Sequence, residues 1–172
     1  RVREANVFSE IVPSNIKASE VTAKSPSAII LSGGPESVYS QNAPEFDNQI
    51  FNLGIPILGI CYGFQVMAKA LGGEVTKTGK SEFGRTTLKA RVSKLFAGSP
   101  LSQLVWMSHG DHVEQLPKGF SVAASSVGAP IAAMESRDKR MVALQFHPEV
   151  VHTPEGKTIL KNFVYGMAGC SN

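Results

Sequence analysis

The sequence predicts an α/β fold of three layers, in which a mostly parallel central sheet carries helices on both faces and an antiparallel extension. Short apolar runs alternate with amphipathic helical patterns in the first half of the chain, as they do in parallel sheets. In the second half, strand-like segments follow one another with little helix between them, which favours antiparallel pairing. The 172 residues, of which 42% are hydrophobic, are typical of a single domain with its own core.

The first half contains the predicted parallel strands and two helices. Residues 1–6 are typical of a helix end. One helix is predicted over Pro44–Leu53, where apolar residues recur with helical spacing before Gly54. A second is predicted over about Gly63–Leu71, which precedes two glycines. The strands are short apolar runs bounded by turn residues: Val7–Val12, Ala28–Leu31 and Ile55–Ile60.

The second half contains the predicted antiparallel strands and one more helix. That helix, about Pro154–Met167, is opened by Thr153 and the residues that follow it, and its apolar residues recur with helical spacing. His152 is expected to help cap it. The strands are apolar segments that lie close together in the chain: Thr86–Val92, Gln103–Met107, Phe120–Ser126, Ile131–Glu135 and Met141–Phe146.

Composition excludes several classes of protein. The net charge is only +3 and no run of Lys or Arg exceeds two residues, so we expect no nucleic-acid partner. The longest apolar runs are far shorter than the roughly 20 residues that span a bilayer, so we expect no membrane partner. The two cysteines, Cys61 and Cys170, make no disulfide framework, which favours a cytoplasmic location. We expect Cys170 to be an idle thiol in a frayed tail.

A nucleophile turn is indicated by residues 59–63, Gly-Ile-Cys-Tyr-Gly. They lie between a predicted strand and a predicted helix and have the form of the G-x-S-x-G elbow, with Cys in place of Ser. Flanking residues without a Cβ atom permit the strained backbone of such a turn. The helix N-terminus would favour a Cys61 thiolate, and the Tyr62 amide would face the oxygen on which charge develops. The turn alone leaves open a buried structural cysteine.

A base and its orienting carboxylate are indicated by residues 145–149, Gln-Phe-His-Pro-Glu. Proline favours extended backbone before it, and extended residues two apart project to the same side. His147 and Glu149 can then act together as base and orienting group. Because His147 and Cys61 both follow predicted strands, they would meet at one edge of a parallel sheet. The alternative is a surface histidine beside a solvated glutamate.

Two further polar segments follow predicted strands. The Ser-Gly-Gly-Pro turn at 32–35 offers backbone N–H groups to an oxyanion or a ligand carboxylate, with an ordinary turn as the alternative. Residues 106–112 (WMSHGDH) are interpreted as a loop that holds an amino-acid substrate, with solvated loop residues as the alternative. The histidines of this segment fit no metal-site spacing, so we expect no metal.

Three segments of the sequence resemble, in order and spacing, the signatures of the triad (class I) glutamine amidotransferase family. They are LSGGPESVY, PILGICYGFQVMAKALGG and LQFHPEV. The resemblance extends from Arg1 to about Met167. It implies a class I glutamine amidotransferase-like fold, a mixed sheet flanked by helices.

The resemblance also implies roles for particular residues. Cys61 matches the nucleophile of the family, His147 its base and Glu149 the third member of its triad. Gly34 and Tyr62 match the amides of its oxyanion hole. The residues that match its glutamine-binding positions are Gly33, Gln65, Ser108 and His109.

Within that family, the segments WMSHGDHV, EFGR and HTPEG are similar to the branch that serves GMP synthases. This likeness implies hydrolysis of glutamine to glutamate and ammonia. An ATP pyrophosphatase (GMP synthetase) domain or subunit would use the ammonia to convert XMP to GMP. No cofactor is implied in this domain, since ATP and Mg²⁺ belong to the partner. We expect residues 1–172 to form a single amidotransferase domain that lacks the family's first strand.

Three other functions remain open from the sequence. A stand-alone γ-glutamyl cysteine hydrolase would use the same triad on γ-glutamyl peptides. The amidotransferase of another pathway would differ mainly in the SHGD and HTPEG details. A regulatory binding domain would usually have lost part of the triad, whereas all three residues are present here.

Overall fold

The computed structural model describes residues 1–138 and 140–171, with the backbone alone for 78–80. The strands are β1 Ile29–Leu31, β2 Ile57–Ile60, β3 Glu74–Ala90, β4 Ser102–Gln115, β5 Phe120–Ser125, β6 Ala133–Ser136 and β7 Met141–Leu144. The α-helices are α1 Ala18–Lys24, α2 Tyr62–Ala70 and α3 Gly156–Lys161, and α3 continues as a π-helix over Asn162–Met167. The described strands form one sheet in the order β1-β2-β7-β6-β5-β3-β4.

The sheet has a parallel end and an antiparallel end. Strands β1, β2 and β7 pair in parallel. Strands β7, β6, β5, β3 and β4 then pair antiparallel in that spatial order. The predicted α/β class with an antiparallel extension is confirmed, but the described sheet is mixed rather than mostly parallel, because two of its strand pairings are parallel and four are antiparallel.

Both faces of the parallel strands are buried, and alternate residues of one strand belong to different cores. In β2, Leu58 and Ile60 pack in the core that contains α3, whereas Ile57 packs in the core that contains α2. Successive side chains of a strand point to opposite faces of the sheet. A strand that is apolar throughout is therefore what two helix-covered faces require.

Helix α2 forms where its apolar period predicts it, within one residue at each end. Phe64, Met67 and Ala68 recur at i, i+3 and i+4 and are completely buried. Gly72, at φ +90°, follows the last turn of α2. Glycine adopts a positive φ without the steric cost of a Cβ atom, so the glycine pair ends the helix.

The strand predicted over Val7–Val12 is wrong. The segment has no ladder pairing, and Phe8 and Ile11 are 87% and 96% exposed. It and β1 line one cavity of about 680 Å³. A strand needs a partner backbone about 4.8 Å away. With open space along β1 instead, the segment stays unpaired and β1 is an edge of the described sheet.

The helix predicted over Pro44–Leu53 is also wrong, because only a 3₁₀ helix over Asn48–Asn52 forms. The Asp47 carboxylate caps this short helix by accepting from an N–H of its first turn at 3.1 Å, and it also accepts from the Ala18 N–H at 2.9 Å. Gly54 follows at φ +71°. The cap at Asp47 starts the helix later than predicted and Gly54 follows its end, which leaves only a short segment, as is usual for 3₁₀ helices.

The β3–β4 hairpin is much longer than the sequence predicts. β3 begins at Glu74 rather than at Thr86, and β4 continues to Gln115. The WMSHGDH segment therefore lies within a strand, where His109 pairs with Glu82, and its interpretation as a loop is wrong. The full length of this hairpin could not be predicted from the sequence. Many of its residues are polar, so it lacks the alternation of apolar and polar residues by which a strand is recognised.

The final helix is confirmed, with its apolar side buried in one core: Ile159, Leu160, Phe163 and Val164. The expected cap by His152 and the expected frayed tail at Cys170 are wrong, whereas the idle thiol of Cys170 stays a prediction. The His152 ring stacks on Trp106, with ring centroids 4.6 Å apart, and makes no cap of α3. The residue Cys170 is half-buried against the core, and its N–H donates to the Val164 carbonyl at 2.9 Å. Of the helices described, none has the length and apolar content to cross a bilayer.

Candidate active site

Cys61 lies in a strained turn between β2 and α2. Its backbone has φ 50° and ψ −104°, outside the regions that L-residues ordinarily occupy. A Cβ atom on Gly59 would lie 2.8 Å from the Gly63 carbonyl oxygen, and one on Gly63 would lie 2.2 Å from that of Leu31. Both distances are shorter than packed atoms allow, so the turn requires glycine at both positions. The predicted elbow is thus confirmed in its backbone geometry.

Two groups contact the Cys61 sulfur from the surrounding strands. The thiol donates to the Ser108 carbonyl of β4 at 3.5 Å. The amide of Gln145, which is completely buried, donates to the sulfur at 3.8 Å. Sequence reasoning missed Gln145. The available signal was a polar residue, Gln145, directly after the apolar residues of β7. An amide that is buried there needs hydrogen-bond partners.

His147 and Glu149 point the same way, as their spacing predicts. The His147 Nδ1 lies 2.7 Å from the Glu149 Oε1. The pKa of His147 is raised to about 10, because hydrogen bonds to Cys61 and then to Glu149 favour the protonated ring more than burial disfavours it. Burial acts to raise the pKa of Glu149, but the hydrogen bond with His147 contributes to a net lowering. A protonated imidazole therefore lies between a sulfur and a carboxylate at neutral pH.

The glycine turn after β1 packs directly against these groups. A Cβ atom on Gly33 would lie 3.0 Å from the His147 ring carbon Cε1 and 3.5 Å from the Cys61 Cβ. One on Gly34 would lie 3.8 Å from the Tyr62 side chain. The turn thus places one residue without a side chain beside Cys61 and His147 and a second beside Tyr62, where a ligand can approach the backbone closely.

The β3–β4 hairpin supplies the opposite wall of the site. The Ser108 carbonyl contacts the Cys61 sulfur, as described above. The His109 ring, by contrast, is turned into the hairpin. Its Nδ1 lies 2.9 Å from the Asp111 carbonyl, and its Nε2 lies 3.2 Å from the Glu82 carboxylate. Both ring nitrogens are engaged by the protein, which leaves the backbone of His109 for any contact with a ligand.

Gln65 of α2 is also held by the protein. Its amide nitrogen donates to the Asp111 carbonyl at 2.9 Å and to the Gln145 side-chain oxygen at 3.5 Å. These bonds fix the side chain and direct its nitrogen away from a ligand. The Gln65 oxygen is the atom left to accept from one.

All nine residues predicted for the site line a single cavity of about 710 Å³: Gly33, Gly34, Cys61, Tyr62, Gln65, Ser108, His109, His147 and Glu149. Lys77, Glu36 and Asp111 also lie on the wall of the cavity. Within residues 1–138 and 140–171, no group of three or more His, Cys, Asp or Glu side chains is arranged to hold a metal ion.

The fold and the cavity define a class of protein. The sequence profile of the family "Glutamine amidotransferase class-I" matches residues 1–167. The crystal structure of a Thermoplasma acidophilum protein assigned as a GMP synthase subunit superposes with a TM-score of 0.88 and 33% sequence identity, covering 98% of this chain and 84% of that one. The chain belongs to the class-I glutamine amidotransferase family.

Within that family, this chain is similar to proteins named GMP synthase [glutamine-hydrolyzing]. It is 56% identical to that of Mycobacterium leprae over 169 residues and 57% identical to that of Thermobifida fusca over 171 residues. These alignments cover 98% and 99% of this chain but 32% of each relative. The chain thus spans about a third of the length of the curated relatives that it matches.

Proposed function

We propose that this chain hydrolyses glutamine and supplies the ammonia to an ATP pyrophosphatase that converts XMP to GMP. The observation that carries the proposal is the contact of Cys61, His147 and Glu149 around one cavity, beside a glycine turn. Membership of the amidotransferase family and the names of its relatives support the choice of substrate and pathway.

The first half of the reaction forms a thioester. In the reacting state the Cys61 thiol has given its proton to His147. The Cys61 thiolate attacks the carbon of the glutamine side-chain amide, and the amides of Gly34 and Tyr62 donate to the oxyanion that forms. The proton of His147 passes to the leaving nitrogen, the C–N bond breaks, and ammonia departs. The raised pKa of His147 supports this role, because it keeps the ring protonated for transfer at neutral pH.

The second half of the reaction hydrolyses the thioester. His147, now neutral, takes a proton from water as the water oxygen attacks the γ-glutamyl carbonyl. The C–S bond then breaks, glutamate leaves, and the sulfur and the protonated ring return to their starting state. Glu149 holds the ring through Nδ1 and stabilises its charge in both halves.

Glutamine is held, in this proposal, by the remaining predicted residues. The Gln65 oxygen accepts from the substrate, since its nitrogen is already engaged. Backbone groups of Gly33, Ser108 and His109 supply the other contacts, because the His109 ring is engaged by Glu82 and Asp111. Such contacts would orient the substrate amide toward the sulfur.

The second reaction belongs to another domain or subunit in this proposal. The chain spans about a third of its relatives, which leaves room in those proteins for a synthetase part. ATP and Mg²⁺ bind there, and no cofactor is needed in this chain. We place the protein in the cytoplasm, because both cysteines are free thiols.

Trapping of the nucleophile tests the hydrolysis. The full-length protein is treated with a chloroketone analogue of glutamine, and the adduct is mapped by peptide mass spectrometry. We expect labelling at Cys61 that free glutamine blocks. Replacing the nucleophile, Cys61→Ala, should abolish labelling and lower turnover by about 10⁴- to 10⁶-fold. Cys170→Ala is the matched control and should change neither. Labelling at Cys170 alone would overturn the assignment.

A second experiment tests the coupling to the synthetase. Ammonia release from glutamine is measured with and without the synthetase part and its nucleotides, and we expect faster release when they are present. Equal rates would contradict the coupling. Faster turnover of γ-glutamyl dipeptides than of glutamine would instead favour a stand-alone hydrolase.

A further inference from the structure

Thr153 closes a ring of hydrogen bonds around the backbone of His147. The His147 N–H donates to the Trp106 carbonyl at 3.0 Å. The Trp106 N–H donates to the Thr153 hydroxyl oxygen at 3.0 Å, and that hydroxyl donates to the His147 carbonyl at 2.7 Å. The N–H and the carbonyl of His147 are therefore both hydrogen-bonded. The N–H is bound to β4 directly, and the carbonyl is linked to β4 through the Thr153 side chain.

Burial and close packing around Thr153 hold this ring of hydrogen bonds in place. Thr153 is only 3% exposed, so a lost partner would not be replaced readily by solvent. The first residue of α3, Gly156, packs closely against Pro148, the residue after His147. A Cβ atom on Gly156 would lie 1.9 Å from the Pro148 carbonyl oxygen. The stack of His152 on Trp106 adds a second attachment to β4.

The strand to which Thr153 ties His147 is the strand that contacts the nucleophile. Ser108, two residues beyond Trp106 in β4, accepts from the Cys61 sulfur at 3.5 Å. One strand thus sets the position of the sulfur through a carbonyl and that of the imidazole through the hydrogen-bonded ring. We propose that Thr153 is a positioning residue, which aligns His147 with Cys61 by bridging the backbones of His147 and Trp106.

The inference rests on the proposed function for its turnover readout alone. In the full-length protein, Thr153→Val keeps the shape of the side chain and removes both hydrogen bonds. We expect kcat for glutamine to fall by about 10²-fold, the typical cost of a misplaced reacting group, with KM nearly unchanged. We expect Thr153→Ser, which keeps the hydroxyl, to restore most of kcat. The control Thr87→Val changes an exposed threonine of β3 and should have no effect.

A second readout does not need glutamine. The rate of Cys61 alkylation by iodoacetamide is followed against pH, since it reports the contact between sulfur and imidazole. We expect a displaced profile in Thr153→Val and a wild-type profile in Thr153→Ser. Thr153→Ala, which removes the hydroxyl without placing a methyl group in its position, replaces Thr153→Val if the latter does not fold. A variant that melts at a lower temperature but keeps kcat and the alkylation profile overturns the inference. If the wild type does not hydrolyse glutamine, the proposed function fails and the alkylation profile alone decides.

Discussion

The two ends of the sheet contribute to the cavity in different ways. At the parallel end, β2 and β7 are each four residues long and almost wholly buried, and Cys61 and His147 follow within three residues of their last residues. At the antiparallel end, β3 and β4 are 17 and 14 residues long, with many exposed side chains. Ser108 and His109 lie in the middle of β4 rather than at its end.

The reacting groups and the opposite wall of the cavity are therefore held in place by different interactions. Parallel strands end at one edge, so their topology alone brings Cys61 and His147 together between two apolar cores. The hairpin wall depends instead on individual polar contacts, of which the buried Glu82–His109 pair is one. Substitutions at the two ends should therefore affect catalysis and stability in different proportions.

The largest effect is expected at the parallel end from Gly63→Ala. A Cβ atom there would lie 2.2 Å from the Leu31 carbonyl oxygen, and backbone on both sides cannot yield without opening the elbow. We expect the free energy of unfolding to fall by about 3 kcal/mol and turnover to be lost. Urea denaturation measures the free energy of unfolding, and a glutaminase assay measures turnover.

The control for that change is Gly166→Ala, because a Cβ atom on Gly166 meets nothing within 4 Å. We expect its free energy of unfolding to change by less than about 1 kcal/mol. If Gly63→Ala and Gly166→Ala lowered the free energy of unfolding equally, the close approach of α2 to β1 would not be the reason that the elbow requires glycine.

The next effect is expected from Glu149→Gln. The folded-state pKa of His147, about 10, lies above its ordinary 6.5. The protonated ring therefore stabilises the fold fully below about pH 6.5, and this contribution is lost as the pH rises toward 10. Without the carboxylate, we expect the proton to leave at lower pH and turnover to fall by about 10²- to 10⁴-fold. The NMR titration of the His147 ring measures the pKa, and an unchanged titration would contradict the pairing.

The smallest effect on catalysis is expected at the antiparallel end from Glu82→Gln. The Glu82 carboxylate accepts from the Ser126 hydroxyl at 2.7 Å and from the Gly128 N–H at 3.1 Å, beside the His109 ring. An amide offers one acceptor fewer, so we expect the free energy of unfolding to fall by about 1–3 kcal/mol. Turnover per folded molecule should change little.

Glu114→Gln is the matched control, because this carboxylate also meets a histidine of β4 but has a side chain 58% exposed. We expect a change of about 0–1 kcal/mol by denaturation. A strong fall in turnover per folded molecule in Glu82→Gln would contradict this expectation. It would mean that the reacting groups at the parallel end depend on contacts at the antiparallel end.

Local sequence signals were sufficient for the reacting residues at the parallel end, but not for every element there. The elbow could be predicted because two glycines, a strand and a helix act within a few residues of Cys61. The pairing of His147 with Glu149 could be predicted because extended backbone projects alternate side chains to one side. By contrast, Val7–Val12 has the apolar residues of a strand but no neighbouring backbone, and no local pattern reports that.

The fold class, the strained cysteine turn and the histidine–glutamate pair could be predicted from the sequence, because each depends on sterics or periodicity within a short segment. Three features are visible only in the folded molecule: the length of the β3–β4 hairpin, the inward turn of His109 and the contact of Gln145 with the sulfur. These features join strands far apart in the chain. Their polar partners become obligatory only after burial has removed water, so the reason for them appears only in the folded molecule.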